Sequence, residues 1–229
     1  FVSVFLSCKY FFSQKDFLTK FWQKFGTVII IEEVIFLLSL FFLFFIRSFQ
    51  PEILGLEKFM DAGFIQAYLK SPVLPMQDIW FANESVNYYS FGHFYNAILV
   101  HLWQVDLAYG YNLLLMSLFA LLTLELFSLA FNLRANLWPK KLTFLGEEKI
   151  NFRASVVAGI LAIFLVALGA NGHTLWYFAK HSSMNNYWYP DATRFIERTI
   201  HEFPAYSFVV CDLHAHVLSL PISLFLLLS

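Results

Sequence analysis

Apolar residues run along this chain in blocks too long and too unbroken for one face of an amphipathic helix. TVIIIEEVIFLLSLFFLFFI (27–46), DLAYGYNLLLMSLFALLTLELFSLAF (106–131) and ASVVAGILAIFLVALGA (154–170) are each long enough to cross a bilayer, whose hydrocarbon core takes about 20 helical residues. A fourth block, 213–229, carries VLSLPISLFLLLS and ends with the chain. The segment FGHFYNAILVHLW (91–103) is amphipathic and too short to cross, so it predicts an interfacial or re-entrant helix. The pattern predicts an all-α, polytopic transmembrane helix bundle forming one membrane domain. Its outer loops run over about 47–105 and 171–212 and contain short interfacial helices. A start without Met and a stop inside an apolar run suggest the N-terminal part of a larger protein. The first apolar stretch lacks the small-residue cleavage site of a signal peptide.

The short helix at 91–103 sets the topology. If it does not cross, both long loops share one side of the membrane, and charge can test this. Lys9, Lys15, Lys20 and Lys24 precede the first span, and Arg134, Lys140, Lys141, Lys149 and Arg153 crowd the 133–153 connection. Both segments are basic and hence cytoplasmic. The two loops hold more acids than bases and are bordered by Trp80, Trp103, Trp176 and Trp188, as the opposite interface requires. Composition agrees with a membrane protein: 59% hydrophobic, 20% aromatic and 14% charged, with a mean hydropathy of +0.62. The net charge of −1 offers no basic surface for nucleic acid. Cys8 and Cys211 are too far apart to form a CxxC motif, so cysteine points to no metal or redox chemistry.

The shared side makes the loop residues candidates for one site. In GLEKFMD, Glu57 and Asp61 are four apart and lie on one face of a helix. Paired carboxylates there suit a divalent cation or a general base, and suit solvated loop acids equally. In CDLHAH, Asp212, His214 and His216 alternate. An ideal helix puts Asp212 and His216 on one face and His214 on the other, whereas an unwound segment projects all three to one side. As a set they are candidate ligands for Mg, Mn or Zn; read plainly they are helix-cap and interface residues. Position favours function, because ionisable groups entering a membrane segment are costly. The aromatic runs NYYSFGHFYNAI and NNYWYP fit a sugar-stacking platform and also an interfacial belt.

The stretches PEILGLEKFMD, NYYSFGH, YNLLLMSLFALLTLELFSLAFNL, YWYPDATRFI and EFPAYSFVVCDLHAHVLSLP together resemble the YYY membrane protein family of Chloroflexi and archaea, named for a tyrosine run. Here that run is Tyr88-Tyr89-Ser90, without the third tyrosine. Its layout is similar to that of the polytopic GT-C glycosyltransferases, in which two outer loops and juxtamembrane helices form a site for a polyprenyl-phosphate sugar. That resemblance implies a glycosyltransferase in a prokaryotic cell membrane with its active face outside, Asp61 as acceptor-activating base and Glu57 as its neighbour or a metal ligand. On residue type and side of the membrane, Lys58, Arg194 and Arg198 are expected to meet the phosphate, and Tyr88, Tyr89 and His93 to contact substrate. A metal-dependent hydrolase using Asp212, His214 and His216, and a transport or scaffold protein, are the alternatives. Few ionisable residues fall inside the strong spans, Glu32, Glu33 and Glu125 being the exceptions, which weakens the transport reading.

Overall fold

The computed structural model describes residues 15–55, 57–137, 141–142, 148–149, 151–169 and 171–229; Cys8, Lys9, Leu56, Lys140 and Ala170 lie outside them. Among the described residues two helices are long and apolar enough to cross a membrane, α1 (Lys15–Ser48) and α4 (Leu107–Leu137). They are antiparallel, and polar pairs mark the register. Arg47 Nε donates to Asn112 Oδ1 at 2.9 Å, Thr123 Oγ1 to Ser39 Oγ at 2.8 Å, and Ser128 Oγ to Glu32 Oε1. As the position in α1 falls, its partner in α4 rises. These bonds satisfy polar groups that lipid cannot. The outer surface of α1 is bare and apolar, with Leu38, Phe41, Phe44 and Phe45 exposed, as a lipid-facing helix requires.

The third predicted span is a composite. α5 (Phe152–Ala162) starts where the Asn151 side chain accepts from the Ala154 N–H at 3.2 Å. It continues as a π-helical turn, Ile163–Leu168, and then bends by 64° into α6 (His173–His181). The connection from α4 holds a two-residue antiparallel ladder, β1 (Lys141–Leu142) with β2 (Glu148–Lys149). α5 lies antiparallel on α4, with Gly159 against Phe127 and Phe152 edge-on to Phe131. The fourth apolar block forms α8 (Ala215–Leu228), 14 residues with Pro221 inside; it is shorter than a bilayer span.

The loops carry the remaining helices. α2 (Lys58–Lys70) packs on α3 (Phe91–Trp103) in the first, α3 having the predicted bounds. The second holds α6, a 3₁₀ turn (Tyr189–Thr193) and α7 (Pro204–Val209). One turn of α4 fastens both loops. Asn112 Nδ2 donates to Pro51 O at 2.9 Å, and its neighbour Tyr111 donates from its hydroxyl to Cys211 O at 3.2 Å. Arg47, buried at the end of α1, also reaches Glu52 O. Beneath them Leu43, Ile65, Leu115, Phe208, Leu213 and Val217 join one core. Both predicted outer loops therefore meet at the same end of the bundle.

Candidate functional site

The stretch FVVCDLHAH is aimed by a backbone turn. α7 ends at Val209, and Cys211 adopts a left-handed conformation with φ +65°. The Cys211 N–H donates to Phe208 O at 3.3 Å and the Asp212 N–H to Ser207 O at 2.9 Å. These are the two bonds of a Schellman helix stop, which usually carries glycine at the left-handed position. Buried Leu213 then pins the chain, and extended His214 (ψ 166°) leads into α8. The segment is therefore unwound before α8, the geometry in which Asp212, His214 and His216 share a side, and all three line one cavity.

The first loop meets it from the other side. Glu57 precedes the first turn of α2 and Asp61 follows one turn later. Asp61 is fully buried against α3, where His93, also fully buried, places Nε2 2.9 Å from Asp61 Oδ1. The other oxygen, Oδ2, is buried without a hydrogen-bond partner among the described residues. Its nearest ionic neighbour is His214 Nδ1 at 3.6 Å. An unsatisfied buried oxygen costs about 1–3 kcal/mol, and more when charged. Such an atom calls for a positive partner.

His214 sits between three carboxylates. Its Nε2 is 2.7 Å from Glu57 Oε2, and its Nδ1 is 2.9 Å from Asp212 Oδ1 and 3.6 Å from Asp61 Oδ2. Because His214 precedes α8 and lies outside the apolar helix, it titrates in a polar setting. The hydrogen bond to Asp212, more than the nearby carboxylate charges, pushes its pKa up to about 9 against the opposing effect of burial. With carboxylates on both ring nitrogens, the imidazolium donates twice. Beside it, His216 Nε2 lies 3.2 Å from Glu202 Oε2 and 3.7 Å from Asp212 Oδ2. The Ser207 hydroxyl donates to Glu202 at 2.8 Å. The bond to His216 leads in holding the Glu202 carboxyl below its ordinary range.

The cavity these groups line has a volume of about 520 Å³, within the usual range of small-ligand sites. Three carboxylates (Glu57, Glu202, Asp212), three imidazoles (His201, His214, His216), Tyr89 and Ile200 form its wall. Tyr89 packs on Tyr88 with the rings tilted by 32° and their centroids 3.8 Å apart, and the two hydroxyls are hydrogen-bonded. Tyr88 in turn packs on Phe64, whose ring also meets His93. Two groups have ligand atoms within 4.8 Å of one another: Asp61, Asp212 and His214, and Glu202, Asp212 and His216. They share Asp212.

Of the expected cationic contacts, none lines the cavity. Lys58 is buried and donates to Leu54 O at 2.9 Å, and burial lowers its pKa. Arg194 donates to Pro190 O and Thr193 Oγ1 and lies over the Trp188 ring. Arg198 is exposed beside Glu197. The remaining candidates, Glu57, Asp61, Tyr88, Tyr89, His93, Asp212, His214 and His216, form one connected cluster. Glu202, Ser207 and His201 belong to the site and were missed. Glu202 was legible in principle: Pro204 starts α7 at its first position, a preferred place for proline, and leaves Glu202 outside the helix, where it folds back on Ser207.

No curated protein and no solved structure matches the chain. The family described as uncharacterised membrane protein (DUF2298) matches residues 2–229, and with apolar helices of spanning length around this cluster, the chain belongs to that family of membrane proteins.

Proposed function

We propose that this protein is a membrane transferase that moves a sugar from a polyprenyl-phosphate donor to an acceptor hydroxyl at the outer face of a prokaryotic cell membrane. The observation that carries the reading is the meeting of both loops' carboxylates and imidazoles in one open cavity at the mouths of α1, α4 and α8. A lipid-linked donor enters sideways from the bilayer while its phosphate and sugar stay at the interface, the depth at which these helix mouths lie. The basic residues Lys20, Lys24 and Arg134 sit at the far ends of α1 and α4, which supports an outward cavity. The GT-C-like layout of two outer loops over a helical bundle supports the same class by analogy.

Exposure divides the roles of the two first-loop carboxylates. Glu57 is two-thirds exposed and bonded to His214, so it is the group that takes the proton from the acceptor hydroxyl. The acceptor oxygen bonds to the anomeric carbon, the bond from that carbon to the phosphate oxygen breaks, and polyprenyl phosphate leaves with the electron pair. Tyr89 offers an aromatic face to the sugar. Asp61 is too deep to meet the acceptor and acts through His214. The test is transfer of radiolabelled sugar from a panel of polyprenyl-phosphate donors by full-length protein in membranes. Glu57→Gln and Asp61→Asn are each expected to lower turnover on the order of a hundredfold or more, with Glu84→Gln close to the parent. Equal turnover in all three variants and the parent would remove the cluster from the reaction.

A metal-dependent hydrolase is the second reading, favoured by the pair of overlapping triads on Asp212. It is marked by release of the transferred group to water with no acceptor present.

A further inference from the structure

We infer that Asp61, Asp212 and His214 form a binding site for one divalent first-row cation, Mn²⁺ or Zn²⁺. The observation that separates this site from an ordinary acidic cluster is Asp61 Oδ2. That oxygen is fully buried, has no hydrogen-bond partner among the described residues, and points at His214. A carboxylate held this way is oriented from behind, because its other oxygen is fixed by buried His93 at 2.9 Å.

The imidazole is oriented in the same manner. His214 turns Nδ1 toward Asp61 and Asp212, while Nε2 is held by Glu57 at 2.7 Å. Metal-binding histidines commonly have a carboxylate on the far nitrogen, which fixes the ring and raises its basicity. Each of these two ligands thus has a supporting partner: His93 for Asp61 and Glu57 for His214. The three donor atoms lie within 4.8 Å of one another, close enough to converge on one ion. A cation there replaces the Nδ1 proton as the positive charge between the carboxylates. One imidazole with two carboxylates suits Mn²⁺ or Zn²⁺ better than Ca²⁺, which prefers an all-oxygen shell.

The second triad, Glu202, Asp212 and His216, has no comparable feature. Glu202 and His216 are bonded to each other and to Ser207, and none of Glu202, Asp212 and His216 has a buried unpartnered atom. The ion is therefore assigned to the inner triad alone. Among the described residues no Lys or Arg lines the cavity, which gives the ion a use, since a phosphate entering among three carboxylates needs a positive partner. The site itself stands apart from the transferase reading, because it rests on the geometry of the ligands.

The test is equilibrium dialysis of chelator-stripped, full-length protein in detergent against Mn²⁺ alone, with pulsed EPR on the bound ion. The expected result is about one Mn²⁺ per chain, displaced by Zn²⁺, with hyperfine coupling to one imidazole nitrogen. His214→Ala should remove that coupling, Asp61→Asn should weaken binding at least tenfold, and Glu202→Gln should weaken it less than Asp61→Asn does while keeping the coupling. The coupling in the parent protein decides the matter even if Asp61→Asn fails to fold. No stoichiometric Mn²⁺ in the parent, an ion without imidazole coupling, or binding lost in Glu202→Gln and kept in Asp61→Asn would each overturn the site. No donor or acceptor is present in this assay, so its outcome and that of the transfer assay fail independently.

Discussion

Cys211 is a small residue with an outsized positional role: its left-handed backbone ends α7 and turns the chain so that Asp212 and His214 reach the cavity. Its side chain is fully buried, and burial pushes the thiol pKa up to about 11. Because the thiolate is the reactive form, Cys211 in a Cys8→Ser background should resist N-ethylmaleimide at neutral pH and react fully after denaturation. Mass spectrometry of the labelled chain reads this out, and modification of native protein at the rate of a free thiol would mean the turn is open. At this scale the sequence was partly legible. The spacing of Glu57 and Asp61 follows from helix geometry, and the alternation of Asp212, His214 and His216 sets the condition the unwound segment meets. The pairing of Asp61 with His93 was not legible, because periodicity describes neighbours within an element and these two belong to different helices. That Lys58, Arg194 and Arg198 stand outside the cavity wall has the same root. Residue type says a cation can meet a phosphate, yet each of the three finds a nearer backbone or side-chain partner.

Between elements, α5 crosses close on α4 at Gly159. A Cβ added at Gly159 would stand 2.3 Å from the Phe127 ring, itself fully buried. Small residues let membrane helices approach in this way. Gly159→Ala should therefore cost about 1–3 kcal/mol by overpacking, seen as a lower midpoint of thermal unfolding in detergent. Gly63→Ala is the matched control. There the added methyl meets the tip of the Ile79 side chain, which can move, and the midpoint should stay near that of the parent. Hydropathy located the cores of the spans and the bounds of α3, because those depend on long apolar runs and on a short amphipathic one. It missed the start of α1 at Lys15, since lysines spaced along KDFLTKFWQKF lower the average while helix propensity persists. It also missed the π turn at Ile163–Leu168 and the bend beyond it. An average over side chains carries no information on backbone register.

For the whole molecule, the two loops meet on one turn of α4, so both must lie on the same side of any membrane that α1 and α4 cross. Single cysteines at Glu84 and Asn185, both exposed, should react with an impermeant maleimide from outside intact cells, and one at Asn136, at the far end of α4, should not. Labelling at 84 and 185 from opposite sides would break the common site. The charge bias made this shared side legible in advance, but distances of 2.7–3.6 Å around His214 depend on packing that no one-dimensional pattern encodes. Building the centre from both loops also fixes when it can appear. Asp61 and His93 can meet once α3 has been made, but Asp212 and His214 arrive only with the last helices of this chain, after α4 and α5 are in place. Contacts so distant in sequence form late, because loop closure precedes them. During synthesis the buried Asp61 carboxylate therefore waits for His214, and the cluster is complete only after α4 and α5 have been made.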